Sequence, residues 1–419
     1  MEREEIWLPY GKDKIRIEIP LQNLLGVYYP KTIVAEVDEN YILQQALENP
    51  IGSPRLREIV RCGQKVAIVT SDLTRPTPSD KMLPFVISEL EAAGIPDEDV
   101  FIVFALGIHR PMSEEEMKKA ISPQIYQRFR AINHDLNDVV TLGVTQRGTV
   151  VEIFRPLVEA DVRICLGNIE FHYFAGFSGG AKAILPGCAS RETIYANHRW
   201  LVSPEASAMR IKGNPVREDL EEGVAMLGVD FILNVIVDSQ HRIVAAFAGD
   251  VIEAHRAGCQ VVMERGAIDI SQRGDIVIAS PGGYPKDINL LQSNKALQSA
   301  KDFVRDKGII ILVAECAEGF GNAVLEQWMK EIPTAEETIQ KIREKFVQGG
   351  HIAAAIAMIE QRASIYCVSS FEDSTVRQIR WRPFSTVQAA VDHAFEVLGK
   401  DAKVIVLPEA TSIFAKVSG

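Results

Sequence analysis

Three histidines and one lysine fall in loops that directly follow apolar, strand-like runs of this 419-residue chain. His109 comes after VFIVFAL (100–106), and His172 and Lys182 come after DVRICLG (161–167); His198 lies shortly beyond in RETIYANHRW (191–200). Histidine is the side chain matched to proton transfer near neutral pH. Lys182 lies in GNIEFHYFAGFSGGAKAILPG (167–187), among Gly167, Gly176, Gly179, Gly180 and Gly187. Glycine costs backbone entropy wherever it is ordered, so such a cluster signals positive φ or a close approach of backbone to a ligand.

The stretch Ser178, Gly179, Gly180, Ala181, Lys182 approaches a P-loop, but Ala183 stands where that motif needs Ser or Thr. A nucleoside triphosphate is therefore not expected. Successive backbone N–H groups in such a loop still make an anion-binding nest, and a phosphate beside Lys182 would suit it. Two further loops carry polar groups. In SDLTRPTP (71–78), Asp72 and Arg75 are three apart at a strand end. They suit a substrate hydroxyl and carboxylate, or else Asp72 caps the next helix with Arg75 paired to it. In SPGGYPKDINLLQSNKAL (280–297), Gln292 and Lys295 share one helical face, fit either for an anionic substrate or for solvent. EGFGNAV (318–324) lacks the third small residue of a dinucleotide fingerprint and reads as a loop against a domain interface.

The elements that must position these groups alternate. KVAIVT (65–70), VFIVFAL, DVRICLG, DFILNVIVD (230–238), DIVIAS (275–280), GIIILVAEC (308–316), SIYCVSS (364–370) and KVIVLPEA (403–410) are separated by helical patterns. Continuous apolar strands alternating with helices predict an α/β fold with largely parallel sheets. Ser113 with Glu116 predicts a capping box that starts a helix after His109. In open α/β sheets ligands bind in the loops after the strands' carboxyl ends, where nearly all of these motifs lie.

The chain is long enough for two or three domains. A boundary is expected near RGAIDISQRGD (265–275), giving a domain over 1–270, a second over 271–400, and a final strand in 401–419 that returns to the first. The net charge of −11 argues against a nucleic-acid partner. The six cysteines are scattered without CxxC spacing, the charged start is unlike a secretory leader, and no apolar run has membrane-spanning length. The expectation is a cytoplasmic protein without membrane partner, its oligomeric state open.

Taken together, SDLTRPTP, GIHR…EEE, FHYFAGFSGGAKAILPG, NHRW and GGYPKDINLLQSNKAL resemble the catalytic subunit of the nickel-dependent lactate racemase family, in the family's order and over roughly residues 65–325. The resemblance implies two α/β domains with the active site in the cleft between them. It implies a nickel-pincer nucleotide (pyridinium-3,5-bisthiocarboxylic acid mononucleotide) supplied by cofactor-synthesis proteins. Lys182 matches the lysine that tethers it covalently, His198 the nickel ligand, and Ser178, Gly179 and Gly180 the phosphate loop. His109 and His172 match the acid/base pair, and Asp72, Arg75, Gln292 and Lys295 the substrate-site positions. The implied reaction inverts C2 of a small 2-hydroxy acid: hydride moves to the pyridinium and back to the opposite face of a 2-keto acid, and the histidines handle the hydroxyl proton. Soft sulfur donors with an imidazole suit square-planar nickel.

Two places depart from the pattern, and one is EFH (170–172), which stands where a proline commonly precedes the histidine. Leu291 stands where lactate-active members carry a tyrosine. Loss of a phenol removes a hydrogen-bond donor and redirects specificity, toward an aliphatic, aromatic, malate-like or sugar acid. Two other readings compete. A non-catalytic carrier of the cofactor needs Lys182, His198 and the glycine loop but not His109 and His172. An NAD-dependent dehydrogenase needs the fingerprint that is missing.

Overall fold

Apolar runs from the middle of the chain build one six-stranded sheet, and runs from its two ends build another, in the computed structural model, which describes residues 2–31, 37–238 and 240–417. The chain divides into two compact units: residues 32–265, and residues 1–31 together with 266–419.

In the central unit the strand order is Ile243–Gly249, Phe231–Val237, Val162–Asn168, Val66–Ser71, Val100–Ala105 and Arg130–Asn133. Only the first pair is antiparallel. Ile68, Ile102, Ile164 and Leu233 are fully buried in one cluster, as strands covered on both faces require. The register matters for the site. Val66 pairs with both Val100 and Val162, so three neighbouring strands start level and release their loops at one edge. Those loops hold SDLTRPTP, GIHR and the glycine-rich segment.

In the other unit the order is Arg382–Pro383, Ala363–Val368, Val304–Val313, Gly274–Ala279, Val404–Leu407 and Leu24–Val27, all parallel. The helix Leu290–Phe303 opens after the loop beyond Gly274–Ala279, capped by Asn289, whose side chain accepts from the Gln292 N–H.

These compact units divide the chain differently from the expected domains. The boundary falls at 265–266, and it is the first 31 residues, not the last strand, that cross over. Val404–Leu407 lies inside the sheet of its own unit, between Gly274–Ala279 and Leu24–Val27, and Phe414–Val417 pairs with Ala267–Ile270. The reason is burial. The N-terminal hairpin Arg3–Tyr10 and Asp13–Pro20 alternates, and its inward residues Ile6, Leu8, Ile17 and Ile19 pack with Ile276, Ile311 and Val404.

Candidate active site

Asp72 sits at the end of Val66–Ser71, its side chain 6% exposed. One carboxylate oxygen accepts from the backbone N–H and hydroxyl of Thr74, at 3.0 and 2.6 Å; the other lies 2.6 Å from His109 Nδ1. Asp72 thus caps no helix, and its partner is His109 rather than Arg75. Burial works to raise its carboxyl, but the hydrogen bonds from His109 and Thr74 outweigh it and hold the group below the usual carboxylate range. With Asp72 ionised, the His109 nitrogen that faces it, Nδ1, carries a proton. The expected capping box of Ser113 and Glu116 forms directly after this loop and starts the helix Glu114–Ile121.

The glycine-rich segment folds back on the same edge. Phe171–His172 pairs with Gly176–Phe177 in a short hairpin, and Gly180–Ala183 makes one turn of 3-10 helix. The ring of Phe174 is the hub of the site. His172 meets it edge-on at 4.5 Å, His198 at 5.2 Å, and Lys182 Nζ lies 5.8 Å from its centroid. Three of the candidate residues, taken from three places in the sequence, therefore surround one buried phenyl ring. The Gly107 N–H bonds to the Gly187 carbonyl at 2.9 Å, and Thr77 Oγ1 to Asn168 Oδ1 at 3.1 Å, tying the His109 and Asp72 loops to this segment.

This crowding sets the electrostatics. Burial, then Lys182, Arg75, His198 and Arg217, push His172 well below its ordinary pKa. Burial, then Arg217 and Arg75, do the same to the Lys182 ammonium, against the pull of Glu170. Both shifts favour the neutral form, although each side chain is only half-buried. The N–H of Ala175 approaches His172 Nδ1 at 3.3 Å, so that nitrogen is the acceptor.

His198 is oriented from behind. Asn197 donates through Nδ2 to Val216 O at 3.0 Å and to Asp219 Oδ2 at 2.8 Å, which leaves its Oδ1 facing His198 Nδ1 at 3.1 Å. Nδ1 is thus the protonated nitrogen.

Gly179 and Gly180 have φ of 74° and 59°. A Cβ on Gly179 would lie 2.6 Å from Asn234 Oδ1, and one on Gly180 would lie 2.8 Å from His255 Cγ. The glycines are there because side chains pack against the rear of the loop. The Ser178 hydroxyl is engaged with backbone, donating to Asn168 O at 2.8 Å and accepting from the Glu170 N–H at 2.9 Å. Gln292 and Lys295 belong to the other unit, where Lys295 Nζ donates to Gln292 Oε1 at 3.0 Å, so their spacing does bring them together. The EGFGNAV loop bonds to that same segment: Gly319 O and Phe320 O accept from the N–H groups of Leu290 and Leu291, and the Glu318 N–H reaches Ile288 O.

Sequence reasoning missed Phe174, Asn197, Asn234, Arg217 and His255. Asn234 had a legible signal, a lone polar residue inside the apolar run FILNVIV. Phe174 is one of several aromatics in its segment, and Asn197, Arg217 and His255 sit on ordinary-looking helices, so none of these carried a signal.

Residues 10–209 match the model of the lactate racemase N-terminal domain, and residues 270–415 that of the lactate racemase C-terminal domain. The lactate racemase of Thermoanaerobacterium thermosaccharolyticum is 33% identical over 423 residues, covering 98% of this chain and 99% of that protein. The lactate racemase of Lactiplantibacillus plantarum is 31% identical over 421 residues, with 98% and 99% covered. The solved structure of the lactate racemase apoprotein from T. thermosaccharolyticum superposes with a TM-score of 0.86 at 34% identity, covering 99% of this chain and 100% of that one. A crystal structure of a Thermotoga maritima protein, 16% identical, shares the fold at a TM-score of 0.62, with 92% and 99% covered. Paired α/β units and full-length relatives of this kind define an isomerase. The chain belongs to the lactate racemase family.

Proposed function

We propose that the protein racemises or epimerises a 2-hydroxy acid at C2, using a nickel-pincer nucleotide tethered to Lys182. The observation that carries this is the pair His109 and His172, whose Nδ1 atoms have opposite partners: the Asp72 carboxylate at 2.6 Å, and the Ala175 N–H at 3.3 Å. A carrier of the cofactor has no use for an aspartate-oriented histidine.

The residues fit the cofactor. A neutral Lys182 amine is the nucleophilic form that an amide-type link requires; in the loop beside it the N–H groups of Ser178 and Gly180 already donate to Glu170 O and Asn234 Oδ1, so a phosphate there would have to be met by Gly179. His198 offers Nε2 as one protein donor. Among the described residues no group of three or more His, Cys, Asp or Glu side chains converges as a metal site, so the remaining donors would come with the cofactor. When bound, the group supplies a reversible acceptor for the hydrogen at C2.

The protein's own residues handle the proton and the carboxylate. Arg75 holds the carboxylate, and Gln292 and Lys295, paired in their own unit, are offered as further anion-binding groups. His109 Nε2 takes the hydroxyl proton from one enantiomer, and Asp72 stabilises the imidazolium that forms. His172 serves the other hand. Its neutral form is ready, but its proton lies on Nε2 while Nδ1 accepts from Ala175. To act as a base there it must shift the proton to Nδ1 and release the 3.3 Å bond, the longer and weaker of the two histidine contacts.

Lactate is the first substrate to try, because both full-length relatives act on it by name; Leu291 makes bulkier or more apolar 2-hydroxy acids the next. The test uses protein co-expressed with cofactor-synthesis proteins and nickel, incubated in D₂O with enantiopure acids. Inversion that keeps protium at C2 is the expected result. Deuterium at C2 would mean carbanion chemistry and overturn the reading; a loaded protein that inverts nothing would be a carrier.

A further inference from the structure

Behind the glycine-rich loop, side chains from two helices form a closed chain of contacts. Arg217 and Glu221 lie four apart on Pro215–Leu227, and His255 and Arg256 on Glu253–Gly266. Arg217, with no exposed surface, donates through Nε to Ala175 O at 3.1 Å and through Nη2 to Phe177 O. Its Nη1 faces Glu221 Oε1 at 3.5 Å; Glu221 Oε2 accepts from Arg256 Nη2 at 2.6 Å. Arg256 Nη1 then donates to His255 Nδ1 at 2.9 Å, which fixes the His255 proton on Nε2, and Nε2 donates to Ser178 O at 2.8 Å. A guanidinium at one end of this chain and a neutral imidazole at the other therefore take the carbonyls of residues 175, 177 and 178, and the His255 ring fills the space where a Gly180 side chain would stand.

We propose that Arg217 and His255 are positioning residues for the cofactor loop: they turn its carbonyls inward and so fix where His172 and Lys182 stand around Phe174. The inference rests on reading Lys182 as the cofactor's lysine. Two guanidiniums against one carboxylate also leave an uncompensated positive charge behind the loop, on the side of Lys182, which favours an anion in front of it. A bidentate guanidinium holding two carbonyls is a geometric device that an ammonium cannot copy.

The test has two arms. In the first, hydrogen exchange of the amides in 176–183 is monitored in unloaded protein. His255→Leu is expected to speed exchange in that segment by about tenfold or more, and His255→Gln, which keeps a donor, to recover most of the protection. In the second, protein matured with the synthesis machinery is weighed intact, and the loaded fraction is assayed. Arg217→Lys and His255→Leu are expected to lower the adduct on Lys182 and to cut kcat of the loaded fraction by about 10²-fold while KM moves by about threefold or less. Unchanged exchange in His255→Leu overturns the inference, even if Arg217 variants fail to fold. So does full kcat in the loaded fraction alongside a lowered Tm, which would mean a merely structural role. Faster loop exchange in a protein whose wild type forms no adduct would uphold the positioning and sink the reading of Lys182 instead.

Discussion

Asp72 holds the Nδ1 of His109 at 2.6 Å from the end of the neighbouring parallel strand. The pairing joins two strand-end residues 37 positions apart and leaves the far nitrogen of the imidazole for the proposed role of base. Its consequence is testable in both directions of the reaction. The enantiomers of an acid with one stereocentre have equal free energy, so kcat/KM must be the same from either side in every variant.

Asp72→Asn removes the charge and not the shape. The expected outcome is a fall of about 10²–10⁴ in kcat/KM, equal for both enantiomers, with the adduct on Lys182 retained. His109→Ala and His172→Ala are each expected to abolish inversion. Polarimetric rates on loaded protein decide it, and full turnover in either alanine variant would break the two-histidine scheme.

Lys182→Ala is expected to lose both the covalent mass increment and activity while its thermal unfolding stays close to wild type, since the side chain is only half-buried. Intact mass and a melting curve on the same sample report it.

Gly180→Ala places a Cβ 2.8 Å from His255 Cγ at a φ of 59°. Strain of this kind costs about 1–3 kcal/mol, read as a lower urea midpoint, and loading should fall with it. A fully loaded, equally stable Gly180→Ala protein would contradict the packing of His255 against the loop.

Gln292→Ala and Lys295→Ala lie outside the unit that carries Lys182, so their adduct should form normally. The expected loss is in KM, about tenfold or more for Lys295, as for an ion pair to a carboxylate that is removed. Initial rates against substrate concentration separate this from a loss in kcat.

Acid should destabilise the fold before carboxylates titrate. Burial pushes His134 and His351 down to about 4 from an ordinary value of 6.5. Their folded pKa is below the unfolded one, so between about 6.5 and 4 the unfolded chain binds the extra protons and stability falls as pH falls. At one pKa unit per 1.36 kcal/mol, each contributes about 3 kcal/mol of loss across that window. His134→Leu should therefore flatten the acid side of a stability–pH curve measured by urea unfolding from pH 7 to 5; an unchanged slope would refute it.

The strands, their parallel character and the family could be read from the chain alone. Strand ends were legible because an apolar β run stops where its burial stops, and His109, His172, Lys182 and Asp72 all come after such a stop. The Ser113–Glu116 cap and the Gln292–Lys295 pairing were legible because they depend on spacing within one helix. It took the packed molecule to establish that Asp72 belongs to His109, that Phe174 gathers His172, Lys182 and His198, and that Arg217 and His255 back the glycine loop. Each of these joins residues brought together by sheet order and register, which local periodicity does not encode. The membership of the compact units has the same origin. Whether residues 1–31 or the last strand crosses between units is settled by which apolar face finds a partner, and that is a property of the packed core rather than of any one segment.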